Sequence, residues 1–379
     1  MKFVEDVSLE GRKAEVEIKV ARILRMLDEE GLEGLVLTKH TNFSWLTAGG
    51  KSIVTLYLEA GNTSLLVTRK GCYAVTSIIE ENRMREEELL EDLGFKIESM
   101  NWYEDKTAEI VKKLAGCPLS KIGTDLPLGD AKLINDKIGP LRYSLTENEI
   151  ARYQYLGDTL STVLEEYIAS VKPGMTEYEI TGGLCNALWK YNIDQALFIV
   201  ATDERAYRYR HAIPTGKKLK DHLCLSVNGR YKGLITTVTR MVHFGRRDEQ
   251  LLKQYDDTAE IECRTIASIR IGEDDIAGYR ANKKAYEDLG YGPMWYLHGQ
   301  GGAQGYNNRD YQITETVHGI TQENQCYCFN PVIDGTKTED AFIATKDGIL
   351  PITKPISFPV LEKEVDGKIF EKPGLLFID

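Results

Sequence analysis

A β-hairpin predicted near the middle of the chain constrains the fold more than any other sequence feature. Two apolar runs, residues 223–227 and 234–238, are separated by Asn228-Gly229-Arg230-Tyr231-Lys232-Gly233. Asn-Gly between apolar runs is among the strongest short-range signals for a hairpin. A histidine in a Pro/Gly turn, His211, precedes the first run. The segment 211–245 therefore predicts a buried hairpin that can hold a catalytic side chain rigidly.

The first part of the chain, residues 1–142, alternates short apolar runs with amphipathic segments. Apolar positions recur at helical spacing in some segments, and others are short runs typical of strands. The predicted helices are 12–30, 76–93 and 105–115, and the predicted strands are 35–37, 65–67 and 122–125. This alternation predicts a small α/β domain.

The remainder, residues 143–379, shows an approximate internal repeat. A helix is predicted from Thr146 to about residue 171, Pro173-Gly174 ends it, and Thr176 can cap a second helix that reaches residue 189. A weaker copy follows the hairpin, with predicted helices at 249–270 and 274–290. The repeat predicts a second domain with internal pseudo-two-fold symmetry.

Composition excludes several classes of partner. The net charge of −11 argues against nucleic acid or anionic lipid, because both require basic surface. No apolar run approaches the ~18–20 residues of a membrane span, and the first residues lack the apolar core of a signal peptide. Seven cysteines without paired spacing indicate reduced thiols. We therefore expect a cytoplasmic protein with neither a nucleic-acid nor a membrane partner.

Six motifs follow one another in an order that resembles the pita-bread hydrolases. They are TENEIARYQYLG, KPGMTEYEI, HAIPTGKKL, YKGLITTVTRM, HGQGG and KTEDAFIATKDG. That family includes aminopeptidase P, prolidase, methionine aminopeptidase and creatinase. The resemblance covers residues 146–350 in detail, and residues 1–140 resemble the N-terminal domain of the creatinase and prolidase branch. It implies an α/β N-terminal domain (1–142), an α+β pita-bread catalytic domain (143–379) and C–N bond hydrolysis. It also implies a homodimer with the N-terminal domain near the partner's active site.

The resemblance further implies where metal ligands would lie. Metallopeptidases of this family bind two metal ions through two Asp, one His and two Glu. In this chain the corresponding positions are Ser226 (or Asn228 if the loop is shortened), Thr237, His298, Asn330 and Glu339. Hard divalent cations require anionic oxygen ligands. We therefore expect no dinuclear centre and no cofactor, and leave open weak binding of a single ion at His298 and Glu339.

Creatinase hydrolyses a C–N bond without metal, and the chain resembles it at several positions. His211 matches its catalytic histidine, Glu339 matches a glutamate that engages the cationic amidine of the substrate, and Arg309 matches an arginine that grips the substrate carboxylate. One position departs from the pattern. Thr239 stands where creatinase has its other active-site glutamate, which argues against creatine itself as the substrate.

Four further residues are candidates for substrate contact. Arg208 and Arg210 lie just before His211 and could hold an anionic group, although ordinary surface arginines would explain them equally well. Lys51 follows two glycines in a segment that, by resemblance, can reach a partner's active site. Asn330 could line the pocket as a neutral polar group.

Three hypotheses follow for function. The first is metal-independent hydrolysis of an amide, amidine or guanidino C–N bond in a small carboxylated metabolite. His211 would act as general base and acid, His298 and Glu339 would polarise or orient the scissile group, and Arg309 would anchor the carboxylate. The second is an Xaa-Pro aminopeptidase or dipeptidase acting on short peptides, which needs the two metals. The third is a ligand-binding protein that kept the fold and lost catalysis.

Overall fold

The computed structural model describes residues 2–378, which form two compact units. One unit contains residues 4–148 together with 232–234, and the other contains the rest of the described chain. The predicted boundary between residues 142 and 143 lies shortly before this junction and stays a prediction. No helix within residues 2–378 is both long and apolar enough to cross a lipid bilayer.

The first unit is built on a mixed six-stranded sheet of order β4-β3-β2-β1-β5-β6. Strand β1 pairs antiparallel with β2 and parallel with β5, and the sheet buries Val36, Leu66 and Ile122 completely. Its elements are α1 (Leu9–Glu30), β1 (Gly34–Lys39), α2 (His40–Leu46), β2 (Ala60–Thr68), β3 (Gly71–Ser77), α3 (Glu81–Glu86), β4 (Phe95–Met100), α4 (Thr107–Ala115), β5 (Ile122–Thr124), β6 (Lys132–Leu133) and α5 (Asn135–Leu141).

One predicted element of this unit is wrong. The helix expected over residues 76–93 is mostly absent, because β3 continues to Ser77 and only Glu81–Glu86 is helical. Strand β3 pairs along its length with β2 and β4, and this pairing outweighs the helical pattern of its last residues. A left-handed residue, Leu89 (φ 58°), then ends the helical region. Leu90 on the following turn packs into the core and is completely buried.

The second unit is built on a nine-stranded sheet whose main path runs β11-β10-β12-β15-β9-β8-β7. Strands β16 and β19 add to β15 and β9. The helices are α6 (Glu147–Ile168), α7 (Glu177–Trp189), α8 (Glu204–Arg208), α9 (Glu249–Ala267), α10 (Ile276–Asp288) and α11 (Gly292–Trp295). The strands are β7 (Asp194–Thr202), β8 (His222–Tyr231), β9 (Leu234–Phe244), β10 (Gly301–Ala303), β11 (Tyr311–Gln312), β12 (Gln325–Phe329), β13 (Val332–Ile333), β14 (Thr336–Lys337), β15 (Asp340–Thr345), β16 (Gly348–Pro351), β17 (Val360–Val365), β18 (Lys368–Pro373) and β19 (Leu376–Ile378).

The long helices begin and end close to where the sequence predicts. Thr176 caps α7 in a reciprocal capping box with Glu179, which satisfies free backbone N–H groups at the helix start. Helix α9 ends at Ala267, before the predicted end at residue 270. A mixed α/β unit followed by an α+β unit confirms the predicted fold class.

The central hairpin is confirmed, but its turn lies elsewhere than predicted. Asn228 and Gly229 belong to strand β8, and the two-residue turn is Lys232-Gly233, with φ of 48° and 85°. Positive φ at both positions matches the turn type that suits the twist of antiparallel strands. Gly229 serves packing instead, since a Cβ there would lie 2.9 Å from Ile193. Extending β8 through Asn228 also keeps that side chain buried.

Candidate functional site

A small polar cavity opens at the side of the hairpin in the second unit. Its volume is about 180 Å³, roughly that of six water molecules. It is lined by Leu197, Ile199, His211, Asn228, His298, Gly299, Gly301, Asn308, Arg309, Gln312, Asn330, Lys337 and Glu339. A cavity of this size suits a small molecule or one side chain of a peptide.

Two histidines face each other in this cavity. His211 follows α8 and is exposed, and His298 follows α11 and is half-buried. Their Nε2 atoms are 3.3 Å apart and their rings meet at 60°. Burial, together with the positive charge of Lys337, lowers the pKa of His298 to about 3. His298 is therefore neutral at physiological pH, and one of the two Nε2 atoms must donate to the other.

Glu339 supplies the one carboxylate among the cavity residues, and both of its oxygens accept from cations. Arg309 Nη2 donates to Oε1 at 2.9 Å, and Lys337 Nζ lies 2.7 Å from Oε2. Burial alone would raise the pKa of Glu339, but these two cations outweigh it and lower the pKa to about 2. Glu339 is 3% exposed and stays ionised, so it cannot exchange protons with a substrate near neutral pH. A substrate cation would have to displace one of the two protein cations.

Hydroxyl groups complete the surroundings of Glu339. Ser226 Oγ and Thr239 Oγ1 each lie 3.3 Å from Glu339 Oε2, and the two hydroxyls lie 2.9 Å from each other. Thr237 lies away from this cluster and accepts from Gln304 Nε2 at 2.8 Å. Alternation along β9 places Thr237 and Thr239 on one face of the strand, yet only Thr239 contacts Glu339.

These donors do not fit a pair of metal ions. Within residues 2–378 no three His, Cys, Asp or Glu side chains are grouped so as to hold a metal ion. Paired divalent ions need several anionic oxygens, whereas Ser226, Thr237 and Asn330 are neutral. The remaining carboxylate, Glu339, already carries two protein cations.

Several polar atoms at the cavity have no hydrogen-bond partner among residues 2–378. They are Asn228 Oδ1, Asn330 Oδ1 and His298 Nδ1. Asn228 is 3% exposed, and its amide nitrogen donates to Asn308 Oδ1. Buried polar atoms are rarely left without partners. These three unsatisfied atoms belong to residues that line the cavity, whose lining also carries the cations Arg309 and Lys337.

The predicted site residues only partly come together. His211, His298, Glu339, Arg309 and Asn330 line the cavity.

Five others do not line the cavity, and one of them is Ser226, whose hydroxyl contacts Glu339. Arg208 ends α8 and is exposed, and Arg210 pairs with Asp334. Thr237 contacts Gln304. Lys51 belongs to the first unit, where its backbone N–H donates to Glu88, and its contact with a substrate stays a prediction.

Lys337 is the main cavity residue that the sequence analysis missed. It stands two residues before Glu339 in Lys337-Thr338-Glu339. Side chains two apart in extended chain project from the same face, so the spacing could have placed the ammonium beside the carboxylate. Asn308 and Gln312 carried no comparable signal.

Comparison with known proteins agrees with this architecture. Residues 151–346 match the model of metallopeptidase family M24. An Xaa-Pro dipeptidase of Pyrococcus horikoshii is 21% identical over 363 residues, which cover 89% of this chain and 97% of that protein. An uncharacterized peptidase of Staphylococcus epidermidis is 23% identical over 234 residues; this alignment covers 58% of the chain and only 65% of the relative's length.

Solved structures share the fold over nearly the whole chain. The Xaa-Pro dipeptidase from Bacillus anthracis superposes with a TM-score of 0.74 at 19% identity, covering 96% of this chain and all of that one. At such identity the likeness concerns the fold, and the family match spans more than half of the sequence. The chain therefore belongs to metallopeptidase family M24, and the predicted membership of the pita-bread hydrolase superfamily is confirmed.

Proposed function

We propose that the chain hydrolyses a C–N bond in a small carboxylated compound without a dinuclear metal centre. The observation that carries this proposal is the state of Glu339, whose two oxygens are bound by Arg309 and Lys337. The other positions that would carry carboxylates in a two-metal site are neutral. The side chains of the cavity then have to catalyse the hydrolysis without paired metal ions.

His211 is the proposed general base. In the tautomer in which His211 donates from Nε2 to the lone pair of His298 Nε2, the Nδ1 atom of His211 is free to accept a proton. The low pKa of His298 keeps that ring neutral, so a proton taken from water stays on His211. A base held by a second group in this way is the usual arrangement for activating a nucleophile.

The proposed reaction begins with the attack of water on the scissile carbon. The oxygen of water forms a bond to the scissile carbon while one of its protons passes to His211 Nδ1. The π electron pair of the C=O or C=N bond moves onto its heteroatom. When this pair returns, the C–N bond breaks, and His211 gives its proton to the leaving nitrogen. Arg309 keeps N–H donors beyond the two used by Asn308 and Glu339, and they can hold the substrate carboxylate.

A metabolite screen tests this proposal. Protein treated with EDTA is incubated with mixed metabolites, and substrate loss is followed by mass spectrometry in parallel with His211→Ala. We expect turnover that survives EDTA and disappears in His211→Ala. Turnover that requires added manganese or cobalt would contradict the metal-free mechanism, and no turnover by either protein would favour a ligand-binding role.

A second candidate, an Xaa-Pro dipeptidase, is favoured by the relatives with that name. It requires two ions that the donors of this cavity do not fit. Measuring metal content by plasma mass spectrometry after purification with manganese, and hydrolysis of Gly-Pro with the same ion, separates the two candidates. Two ions per chain with Gly-Pro cleavage would establish the dipeptidase.

A further inference from the structure

Lys337 is a buried ammonium at the cavity. It lies on β14, is 5% exposed and lines the same cavity as His211 and His298. Its Nζ lies 2.7 Å from Glu339 Oε2 and 3.4 Å from Ser226 Oγ. Lysine is almost never buried to this degree unless it is paired, and Glu339 supplies the pair.

Counting donors leaves one N–H of Lys337 for a ligand. An ammonium has three donors, and Glu339 and Ser226 account for two. Because Lys337 lines the cavity, its third N–H is the donor that a ligand bound there would use.

The charges at the cavity leave a net excess of positive charge. Lys337 and Arg309 carry one positive charge each, Glu339 carries one negative charge, and His298 is neutral. A charge that develops in a partly buried cavity is stabilised far more than it would be in water.

We propose that Lys337 is a catalytic residue of the reaction proposed above, donating to the heteroatom that gains negative charge when water adds to the scissile carbon. This inference rests on the proposed function. A metal ion polarises the same atom in metallopeptidases, and Lys337 supplies a positive charge and a directed donor to it. Glu339 and Ser226 hold the ammonium in place, so little reorganisation accompanies the reaction. Lys337 contributes a hydrogen bond and its charge, and the transferred proton stays with His211.

The alternative is that Lys337 only neutralises Glu339. A matched control separates the two roles. Lys372 is also 5% exposed on its side chain and pairs with a buried carboxylate, Glu262, at 2.6 Å, but it does not line the cavity. Lys372→Met therefore removes a comparable buried ammonium away from the proposed reacting atoms.

The first test uses inorganic phosphate as a tetrahedral anionic probe. Its binding is monitored through the ¹⁵N resonances of the histidine rings. In the wild type, we expect phosphate to shift the ring ¹⁵N resonances of His211 and His298, and the shifts should saturate as the phosphate concentration rises. Lys337→Met should weaken apparent binding by at least about tenfold, the scale of a hydrogen bond to a charged group. Lys337→Arg should retain binding, and Lys372→Met should bind as the wild type does. Equal phosphate binding by Lys337→Met and wild type would overturn the proposal.

A second measurement does not depend on a destabilised variant. In wild-type protein labelled at lysine ¹⁵Nζ, the resonance assigned to Lys337 by its loss in Lys337→Arg should shift on addition of phosphate. A resonance that stays fixed while the histidines respond would also overturn the proposal.

Kinetics on a substrate found in the metabolite screen complete the test. Lys337→Met should lower kcat by about 10²–10³-fold, as loss of one oxyanion donor does, with KM changed only a few-fold and partial rescue by Lys337→Arg. If Lys337→Met keeps kcat within threefold while His211→Ala is inactive, the lysine role fails and the proposed function stands. If the wild type shows no metal-free turnover, the proposed function and the catalytic role both fail, and phosphate then reports only an anion site.

Discussion

Replacing Glu339 by glutamine should destabilise the second unit strongly. The substitution keeps the shape of the side chain and removes its charge, which leaves Lys337 and Arg309 without their shared anion. Both cations are largely buried, with 6% and 19% of their side chains exposed. Removing one partner of a buried ion pair lowers the free energy of unfolding by more than the intact pair contributed, because a buried charge is left without a partner.

The expected magnitude follows from the pKa of Glu339. Arg309 and Lys337 lower that pKa from 4.5 to about 2 against the opposing effect of burial. At about 1.4 kcal/mol per pKa unit, ionised Glu339 stabilises the fold by about 3 kcal/mol at pH 7. Breaking a buried pair typically costs about 3–5 kcal/mol, so the two scales agree. Because the folded pKa is the lower one, this stabilisation is present above pH 4.5 and is lost as the pH falls toward 2.

Urea unfolding followed by tryptophan fluorescence measures this difference. At pH 7 the free energy of unfolding of Glu339→Gln should fall by about 3 kcal/mol, and the gap to wild type should narrow below pH 4.5. Asp288→Asn is a suitable control, because Asp288 is 41% exposed and pairs with an exposed lysine; it should change stability by less than about 1 kcal/mol. A loss below 1 kcal/mol in Glu339→Gln would refute the account of this site.

Two further predictions concern stability elsewhere in the second unit. Gly157→Ala should destabilise the protein severely, because a Cβ there would lie 2.0 Å from the carbonyl oxygen of Ile352. In Gly182→Ala, within α7, the new Cβ meets nothing within 4 Å, and this variant should stabilise the protein by up to about 1 kcal/mol. Thermal unfolding compares the two variants, and an unchanged stability of Gly157→Ala would contradict the packing. Burial lowers the pKa of His222 below its ordinary 6.5, so its neutral form stabilises the fold above pH 6.5 and this contribution is lost as the pH falls. His222→Gln, which can still donate to the Gly335 carbonyl, should therefore reduce the loss of stability between pH 7.5 and 5.5, and an unchanged pH dependence would argue against a depressed pKa.

Much of the second unit follows from local sequence. The Thr176 capping box, the Pro173-Gly174 break and the apolar runs of β8 and β9 act between near neighbours, so pattern and propensity predict them. The absence of carboxylates at Ser226 and Thr237 is likewise visible once the motifs are aligned. Where the prediction was wrong, at residues 76–93 and at the hairpin turn, pairing with distant strands or packing against Ile193 outweighed the local signal.

The cavity itself depends on contacts between distant parts of the chain. His211 and His298 lie 87 residues apart in sequence, and Arg309 reaches Glu339 across 30 residues. Alignment with the family motifs predicted that a histidine takes over the role of the metals, and it placed neutral residues at three of the five positions that correspond to metal ligands. Only the tertiary structure brought Arg309 onto the second oxygen of Glu339 and buried Lys337 and Glu339, and the strength of such charge interactions depends on distance and on exclusion of water.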